Sequence, residues 1–257
     1  MKKMISTTVV EQVKIGKNCW SIWLQAPGIA DDVQPGQFVH LKLNRGEKLL
    51  PRPLSICETD KKNNALRLVY AVVGKGTKDL SHMKEGETLR VLSPLGNGFE
   101  VDRAALKSII AGGGMGIPPL LELSRRIPGR KEIYLGYSAT PFLLESFQEL
   151  DAQVHVSTDD GCFGYCGTVI DKMNQEKARG NIIYGCGPRP MLKALSIWAK
   201  ERDIPAQVSL EERMACGIGA CLVCTCKIAK KEEGEWHHRR VCADGPVFWN
   251  QEVVWND

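Results

Sequence analysis

Cys216, Cys221 and Cys224 stand in a Cys-x4-Cys-x2-Cys arrangement, and Cys242 follows after seventeen residues. Four thiolates at this spacing are suited to hold a [2Fe–2S] cluster. Gly217, Gly219 and Ala220 keep side-chain bulk off the loop, so backbone N–H groups can approach the sulfurs. Zinc is the alternative, although zinc sites commonly combine two Cys-x2-Cys units and only one such unit occurs here. Unligated thiols are the remaining reading. Cys226, two residues past Cys224, reads as a bystander that points away from the cluster in an extended segment. Cys162 and Cys166, within Asp160-Gly-Cys-Phe-Gly-Tyr-Cys-Gly167, have no second pair near them and read as loop thiols.

The elements that position such a loop are drawn from a chain of 257 residues, long enough for one large domain or two ordinary ones. Its composition, 43% apolar and 25% charged, is that of a soluble globular protein. A formal charge of +4 without a basic run gives no nucleic-acid footprint. His237-His238-Arg239-Arg240 follows Glu232-Glu233-Gly234-Glu235 and reads as a solvated hairpin. The amino-terminal residues mix polar side chains into apolar positions, so no signal-peptide core and no membrane span are expected. Ten cysteines then read as reduced thiols and metal ligands, and the compartment as the cytoplasm.

Residues 5 to 95 read as closely spaced strands, at Thr8 to Ile15, Trp20 to Gln25, Phe38 to Leu43, Leu54 to Glu58, Ala65 to Val73 and Thr88 to Leu92. Turn residues such as Pro27-Gly28, Pro35-Gly36 and Glu85-Gly86 separate them, as in a small antiparallel barrel or sandwich. Apolar and polar residues alternate from Gln37 to Leu43, the pattern of a strand with one face buried and one wet. Near Arg103 the rhythm changes. Apolar runs at Ser108 to Ala111, Ile133 to Gly136, Val154 to Val156 and Asn181 to Tyr184 alternate with helical periods such as Ile117 to Arg126 and Met191 to Arg202. That alternation predicts a parallel sheet with helices on both faces. From Glu211 onward come the cysteine-rich loop and an aromatic tail, Phe248 to Trp255, suited either to a subunit contact or to core packing.

Two glycine-rich strand ends fall within the parallel region. Ala111-Gly-Gly-Gly-Met-Gly-Ile-Pro-Pro-Leu120 opens a helix with Pro118 in its first turn, where the missing N–H costs nothing. Bare amides at a helix start can receive a phosphate. The stretch departs from G-x-G-x-x-G, and Glu132 precedes the next strand instead of ending it, so the usual dinucleotide fingerprint is incompletely met. A tight turn that needs glycine for packing is the plainer reading. Tyr184-Gly-Cys-Gly-Pro-Arg-Pro-Met191 is the second strand end, and two such ends can bracket a ligand at the carboxyl edge of an open sheet. In the strand-rich half, Arg52-Pro-Leu-Ser55 and Gly74-Lys-Gly-Thr77 offer a cation, hydroxyls and glycine amides, the groups that grip a pyrophosphate. Taken alone, each is also an ordinary turn.

Together, Arg52-Pro-Leu-Ser55, Gly112-Gly-Gly-Met-Gly116-Ile-Pro118 and Cys186-Gly-Pro-Arg-Pro-Met191 resemble the flavin and nicotinamide motifs of the ferredoxin-NADP reductase superfamily. The carboxyl-terminal pattern M-A-C-G-x-G-x-C-x-x-C followed by V-C-x-D-G-P-V-F, met from Met214 to Cys224 and from Val241 to Phe248, resembles the electron-transfer subunits of NAD-dependent (type B) dihydroorotate dehydrogenases. The likeness covers nearly the whole chain. It implies a β plus α/β fold: an antiparallel flavin-binding barrel over 1–100, a parallel-sheet nicotinamide-binding domain over 101–210, and a [2Fe–2S] region over 211–257. It implies FAD held by Arg52, Pro53, Leu54, Ser55, Val69, Tyr70, Ala71, Gly76 and Thr77, with Tyr70 against the flavin or its adenosine. NAD would approach Gly112, Gly113, Gly114, Gly116, Cys186 and Gly187, with Cys186 in a packing role, and Cys216, Cys221, Cys224 and Cys242 would ligate the cluster.

The resemblance further implies a relay in de novo pyrimidine (UMP) biosynthesis. A partner subunit with FMN oxidises dihydroorotate, and electrons pass through [2Fe–2S] and FAD to NAD. A cluster carries single electrons and nicotinamide takes a hydride, so a flavin must stand between them. The expected assembly is a heterotetramer of two subunits of each kind, without nucleic acid or membrane. The departures are Pro-Leu where many members have x-Tyr, Met115 in place of a smaller aliphatic residue, and a polar insertion between Cys224 and Cys242. Ser138-Ala139-Thr140 lacks an arginine for a 2′-phosphate, which favours NAD over NADP. Two alternatives remain: the flavin reductase subunit of another iron–sulfur complex, of sulfide dehydrogenase or ferredoxin-NADP transhydrogenase type, and a zinc-bearing binding module.

Overall fold

A computed structural model describes residues 2–43, 50–102, 104–230 and 234–255. The amino-terminal half closes into a barrel from β1 (Lys3–Lys14), β2 (Cys19–Gln25), β3 (Phe38–Leu43), β4 (Arg52–Asp60), β5 (Ala65–Ala71) and β6 (Thr88–Leu95), with α1 (Lys75–Leu80) before the last strand. The strand order is β1-β2-β5-β4-β3-β6, and every pairing is antiparallel. Alternate residues fill the interior, among them Ile22 and Leu24 of β2, Val39 and Leu41 of β3, Leu66, Leu68 and Tyr70 of β5, and Leu89 and Val91 of β6.

The second half holds β7 (Lys107–Gly113), α2 (Pro118–Arg126), β8 (Arg130–Tyr137), α3 (Leu144–Gln148), β9 (Gln153–Thr158), β10 (Tyr165–Cys166), α4 (Val169–Gln175), β11 (Ile182–Cys186), α5 (Arg189–Lys200) and β12 (Ala206–Ser209). The tail adds β13 (Thr225–Ala229), β14 (Trp236–Arg240) and β15 (Val247–Trp249). A seven-stranded sheet runs β10-β9-β8-β7-β11-β12-β15. It is parallel except for β15, which lies antiparallel to β12. The pleat sends successive residues to opposite faces: Ile110, Ile133 and Leu135 pack with Leu120 and Leu123 of α2 and Phe147 of α3. Ile109, Ala111 and Tyr134 pack with Met173 of α4 and Leu195 and Trp198 of α5.

Residues 224–255 cover the barrel and the sheet together. Phe38 and Leu95 of the barrel, Val208 of β12, and Cys224, Cys226, Ile228, Cys242, Phe248 and Val253 form one core. The aromatic tail is therefore core packing for Phe248, with Trp255 lying partly buried against the same core. This cover changes the expected wet face of β3, since Phe38 and His40 point out of the barrel yet are buried beneath the tail. The β13–β14 hairpin exposes His238 and Arg239 and buries Cys226 and Ile228; Glu232 and Glu233 of the expected turn lie outside the described residues. Cys226 shares the inner side with Cys224 instead of pointing away, because residues two apart on a strand face the same way.

Barrel and sheet are locked by Glu122 on α2. Its carboxylate accepts from Thr59 N (3.0 Å) and Thr59 Oγ1 (2.9 Å) on β4 and from Arg126 Nε (2.7 Å). Arg126 Nη1 in turn donates to Val33 O (2.9 Å). Removing one partner of a buried pair leaves the others desolvated without compensation. Glu122→Ala is expected to lower stability by about 3 kcal/mol, read as a shift in the denaturant midpoint; an unchanged midpoint would show that the remaining contacts, the Arg125–Glu58 ion pair between α2 and β4 among them, hold the two halves without it.

Candidate functional site

A cavity of about 540 Å³ opens between the outer side of β4 and β5 and the carboxyl ends of β7, β11 and β12. Its wall includes Arg52, Pro53, Leu54, Ser55, Val69, Tyr70, Ala71 and Thr77 from the barrel half, and Gly113, Gly116, Cys186 and Gly187 from the sheet. Three further residues of the expected site, Gly76, Gly112 and Gly114, are not part of this wall. A Cβ on Gly76 would strike the Arg52 guanidinium, so that glycine lets the arginine lie across the loop. Gly112 has Leu120 Cδ1 2.8 Å from where its Cβ would be and serves helix packing. Gly114, at φ +50°, faces open space. Gly116 has no room for a Cβ against the Cys186 backbone, and the Gly187 position is confined by Met191 and the Gly113 N–H. The two glycine-rich strand ends therefore close on each other, and α2 and α5 both begin at this edge.

Tyr70 is buried in the barrel and its hydroxyl is hydrogen-bonded to Gln12 Oε1 at 3.3 Å, so it presents no hydroxyl to a ligand. Burial pushes the Cys186 thiol up to about 12, which keeps it protonated and unreactive. Glu132 lies inside β8 near its start, where it pairs with Lys107 and accepts from the Tyr134 hydroxyl. It is thus committed at the amino end of the sheet, away from the cavity. Ser209, Glu211, Glu212 and Met214 also line the cavity. Ser209 ends β12 and the other three follow it; its four residues are too few to show a period, and the rule that parallel strands deliver ligand contacts at their carboxyl ends was the available signal.

Met214 carries the chain from this cavity directly into the cysteine loop. Ala220 N–H and Cys221 N–H point at Cys216 Sγ (3.3 and 3.4 Å), and Cys242 N–H points at Cys224 Sγ (3.4 Å). Through these backbone donors the four cysteines fall into two neighbouring pairs, Cys216 with Cys221 and Cys224 with Cys242. Burial works against ionising Cys216, but the N–H groups of Ile218, Cys221 and Ala220 and the Cys221 thiol outweigh it and draw Cys216 down to about 6. Burial, then the Cys224 side chain, pushes Cys242 up. Among the described residues, no three His, Cys, Asp or Glu side chains are gathered as they would be around one metal ion. Two thiol pairs with amide donors at their sulfurs fit a two-iron group, which takes two thiolates on each iron.

The loop is braced from both sides. Arg240 makes a two-pronged pair with Asp244 (2.9 Å for each bond) and donates to Gly219 O (3.1 Å). Gly217 and Gly219 adopt φ of +69° and +86°, a region costly for other residues. A Cβ on Gly217 would collide with the His40 ring, and one on Gly219 would sit 2.8 Å from Ala243 Cβ. His40 belongs to β3, and its approach to the loop has no signal in the local sequence.

Comparison with known proteins gives a consistent placement. Residues 211–254 match the family model for the iron–sulfur cluster binding domain of dihydroorotate dehydrogenase B, and residues 6–99 match that for the oxidoreductase FAD-binding domain. The electron transfer subunit of dihydroorotate dehydrogenase B (NAD(+)) from Caldanaerobacter subterraneus is 43% identical over 221 residues, 86% of this chain and 87% of that one. The protein of the same description from Bacillus cereus is 42% identical over 254 residues, 96% of each chain. Among solved structures, the NADH-dependent reduced ferredoxin-NADP oxidoreductase described for flavin-based electron bifurcation aligns with a TM-score of 0.86 at 31% identity, over 97% of this chain and 90% of that one. A ferredoxin reductase of carbazole 1,9a-dioxygenase, at 18% identity and TM-score 0.66 over 79% and 67%, shares the fold.

The lowered Cys216 thiol generates a direct expectation for the metal-free protein. Iodoacetamide should alkylate Cys216 ahead of the other loop cysteines, with a rate that rises with pH through a midpoint near 6, since only the thiolate reacts. Peptide mass mapping across pH reads this, and a midpoint above 8 would show that the amides do not hold the sulfur as a thiolate.

Proposed function

The chain belongs to the family of electron-transfer subunits of NAD-dependent dihydroorotate dehydrogenase B, and from that membership we propose that it passes electrons from the FMN of a dihydroorotate-oxidising partner subunit to NAD in pyrimidine biosynthesis. The observation that carries the proposal is continuity: Phe38 and Met214 line the cavity, and Met214 lies two residues from Cys216. One carrier held in the cavity and another held by the cysteine loop would share a wall.

Arg52, with the backbone around Gly76 and Thr77, would neutralise and cradle the pyrophosphate of FAD, while Pro53, Leu54, Ser55 and the Val69 to Ala71 backbone flank its ring system. Gly113, Gly114, Gly116, Cys186 and Gly187 would admit NAD from the sheet side, where the close-set glycines leave backbone as the contact surface, with Gly112 behind them given to the packing of α2. Ser138, Ala139 and Thr140 are exposed after β8 and place no cation there, which supports NAD. Cys216 and Cys221 would ligate one iron, and Cys224 and Cys242 the other. The bound flavin supplies the exchange between single electrons and hydride. The chain's own part is to fix positions, donate N–H groups to the sulfurs and keep bulk out of the seam.

Ile218, Leu222 and Val223 are exposed around Cys221 and form the face on which the FMN subunit would dock, in an assembly of two subunits of each kind. Among the described residues no helix is long and apolar enough to cross a membrane; with all ten cysteines free, this supports a cytoplasmic setting. The similarity to the bifurcating oxidoreductase supports a second reading, a reductase subunit serving ferredoxin and NADP.

Co-expression with an FMN-containing dihydroorotate dehydrogenase subunit is expected to give a brown complex that reduces NAD with dihydroorotate, and Leu222→Asp should weaken that complex about tenfold, as for a contact worth 1.4 kcal/mol. A complex full of FAD and iron yet inert with this pair, and active with reduced ferredoxin and NADP, would establish the second reading instead. Cys221→Ala should lose iron and keep FAD, measured by metal analysis and the visible spectrum; loss of both would show that the loop supports the flavin cavity.

A further inference from the structure

His40 is 2% exposed, and neither ring nitrogen has a hydrogen-bond partner among the protein atoms. An imidazole carries a donor as well as an acceptor, and leaving such groups buried and unpaired is costly. The barrel does not require a polar residue here: Val39 and Leu41 fill its interior, while Phe38 and His40 point the other way, under the cysteine loop.

The direction of the ring is set by Gly217. The ring atoms nearest to a Cβ built on that glycine are Cε1, Nδ1 and Nε2, so the edge bearing both nitrogens faces the loop between Cys216 and Ile218. On its other side the ring packs edge-on to Phe38, with centroids 5.9 Å apart and planes at 63°; Phe38 lines the cavity. A polar edge aimed from the barrel at the cysteine loop, with no protein partner, is suited to an acceptor that the loop itself would hold.

We infer that His40 is a positioning residue for the iron–sulfur group, donating one ring N–H to a sulfur held by the Cys216 loop and so coupling the cluster to the wall of the flavin cavity. The inference rests on the iron–sulfur reading given above. A donor aimed at a sulfur stabilises the more negative, reduced state of the group and raises its potential. Phe38 and Gly217 complete the device, one by closing the apolar side of the ring, the other by lacking the Cβ that would push the ring away.

The test uses the complete complex with its partner subunit. In the reduced wild type labelled with ¹⁵N-histidine, pulsed EPR is expected to show coupling of the cluster to one histidine nitrogen, and that coupling should vanish in His40→Phe. Redox titration followed by EPR should place the His40→Phe midpoint below wild type with altered g values, while His40→Asn, which restores a donor, recovers part of the shift. FAD content should stay unchanged in both variants. A wild-type cluster with no histidine coupling overturns the inference, and this reading stands even where a variant fails to fold. A His40→Phe cluster with wild-type potential and spectrum overturns it as well. A complex that carries FAD but no [2Fe–2S] group would instead bring down the iron–sulfur reading, and the role of His40 with it.

Discussion

The hydrogen bonds accepted by Gly245 and Pro246 fasten the cysteine loop to both halves of the molecule at once. Asn97 N–H, at the end of the barrel, reaches Gly245 O at 2.6 Å, and Leu210 N–H, at the end of the last parallel strand, reaches Pro246 O at 2.9 Å. The Asn97 side-chain amide adds bonds to the carbonyls of Ala243 and Asp244. Electron exchange between two carriers weakens steeply with separation. A loop attached to only one half would let that separation drift with every domain motion; one attached to both makes it a property of the fold. The sheet reinforces this, because β15 begins one residue after Pro246 and is paired to β12 through Val247, Phe248 and Trp249.

Within the loop, electrostatics does the work that side-chain bulk cannot. Arg240 holds the Asp244 carboxyl below the usual carboxylate range, through its hydrogen bonds first, against a smaller opposing effect of burial. An acid whose folded value is depressed contributes stability above its unfolded pKa, about 3.9 for Asp, and that contribution is lost only as pH falls through the lower folded value. The brace between the two ends of the loop is therefore intact across the neutral range. Its guanidinium also reaches Gly219 O, which sets the turn that aims Ala220 and Cys221 N–H at Cys216.

The barrel was legible because its strands carry period-two patterns bounded by glycine and proline turns, and β3 spans the same residues, Phe38 to Leu43, in sequence and structure. The cysteine spacing and the two glycine-rich strand ends were legible because each is a local requirement on backbone shape. What escaped is non-local. The burial of His40 and the commitment of Glu132 to Lys107 depend on what packs against them from more than twenty residues away. The strands β12 and β15 have four and three residues, and neither length can display a period. Their existence follows from a neighbour's unpaired edge, which no single segment encodes.

Ten cysteines pose a problem of selection that spacing alone does not solve. Burial pushes Cys19 and Cys226 up to about 11 and Cys57 and Cys186 up to about 12. Such thiols stay protonated at neutral pH, and because burial pushes Cys242 up in the same way, a raised thiol alone does not separate a ligand from a bystander; Cys242 is marked instead by its N–H, which points at the sulfur of another cysteine of the loop, Cys224. Cys162 is exposed, and Asp160 beside it raises its thiol. Cys216 is instead drawn downward, by a nest of N–H groups formed where Gly217 and Gly219 turn the backbone inward. The glycines therefore matter more than permissive spacing: they create the local charge environment that draws one thiol of the loop down.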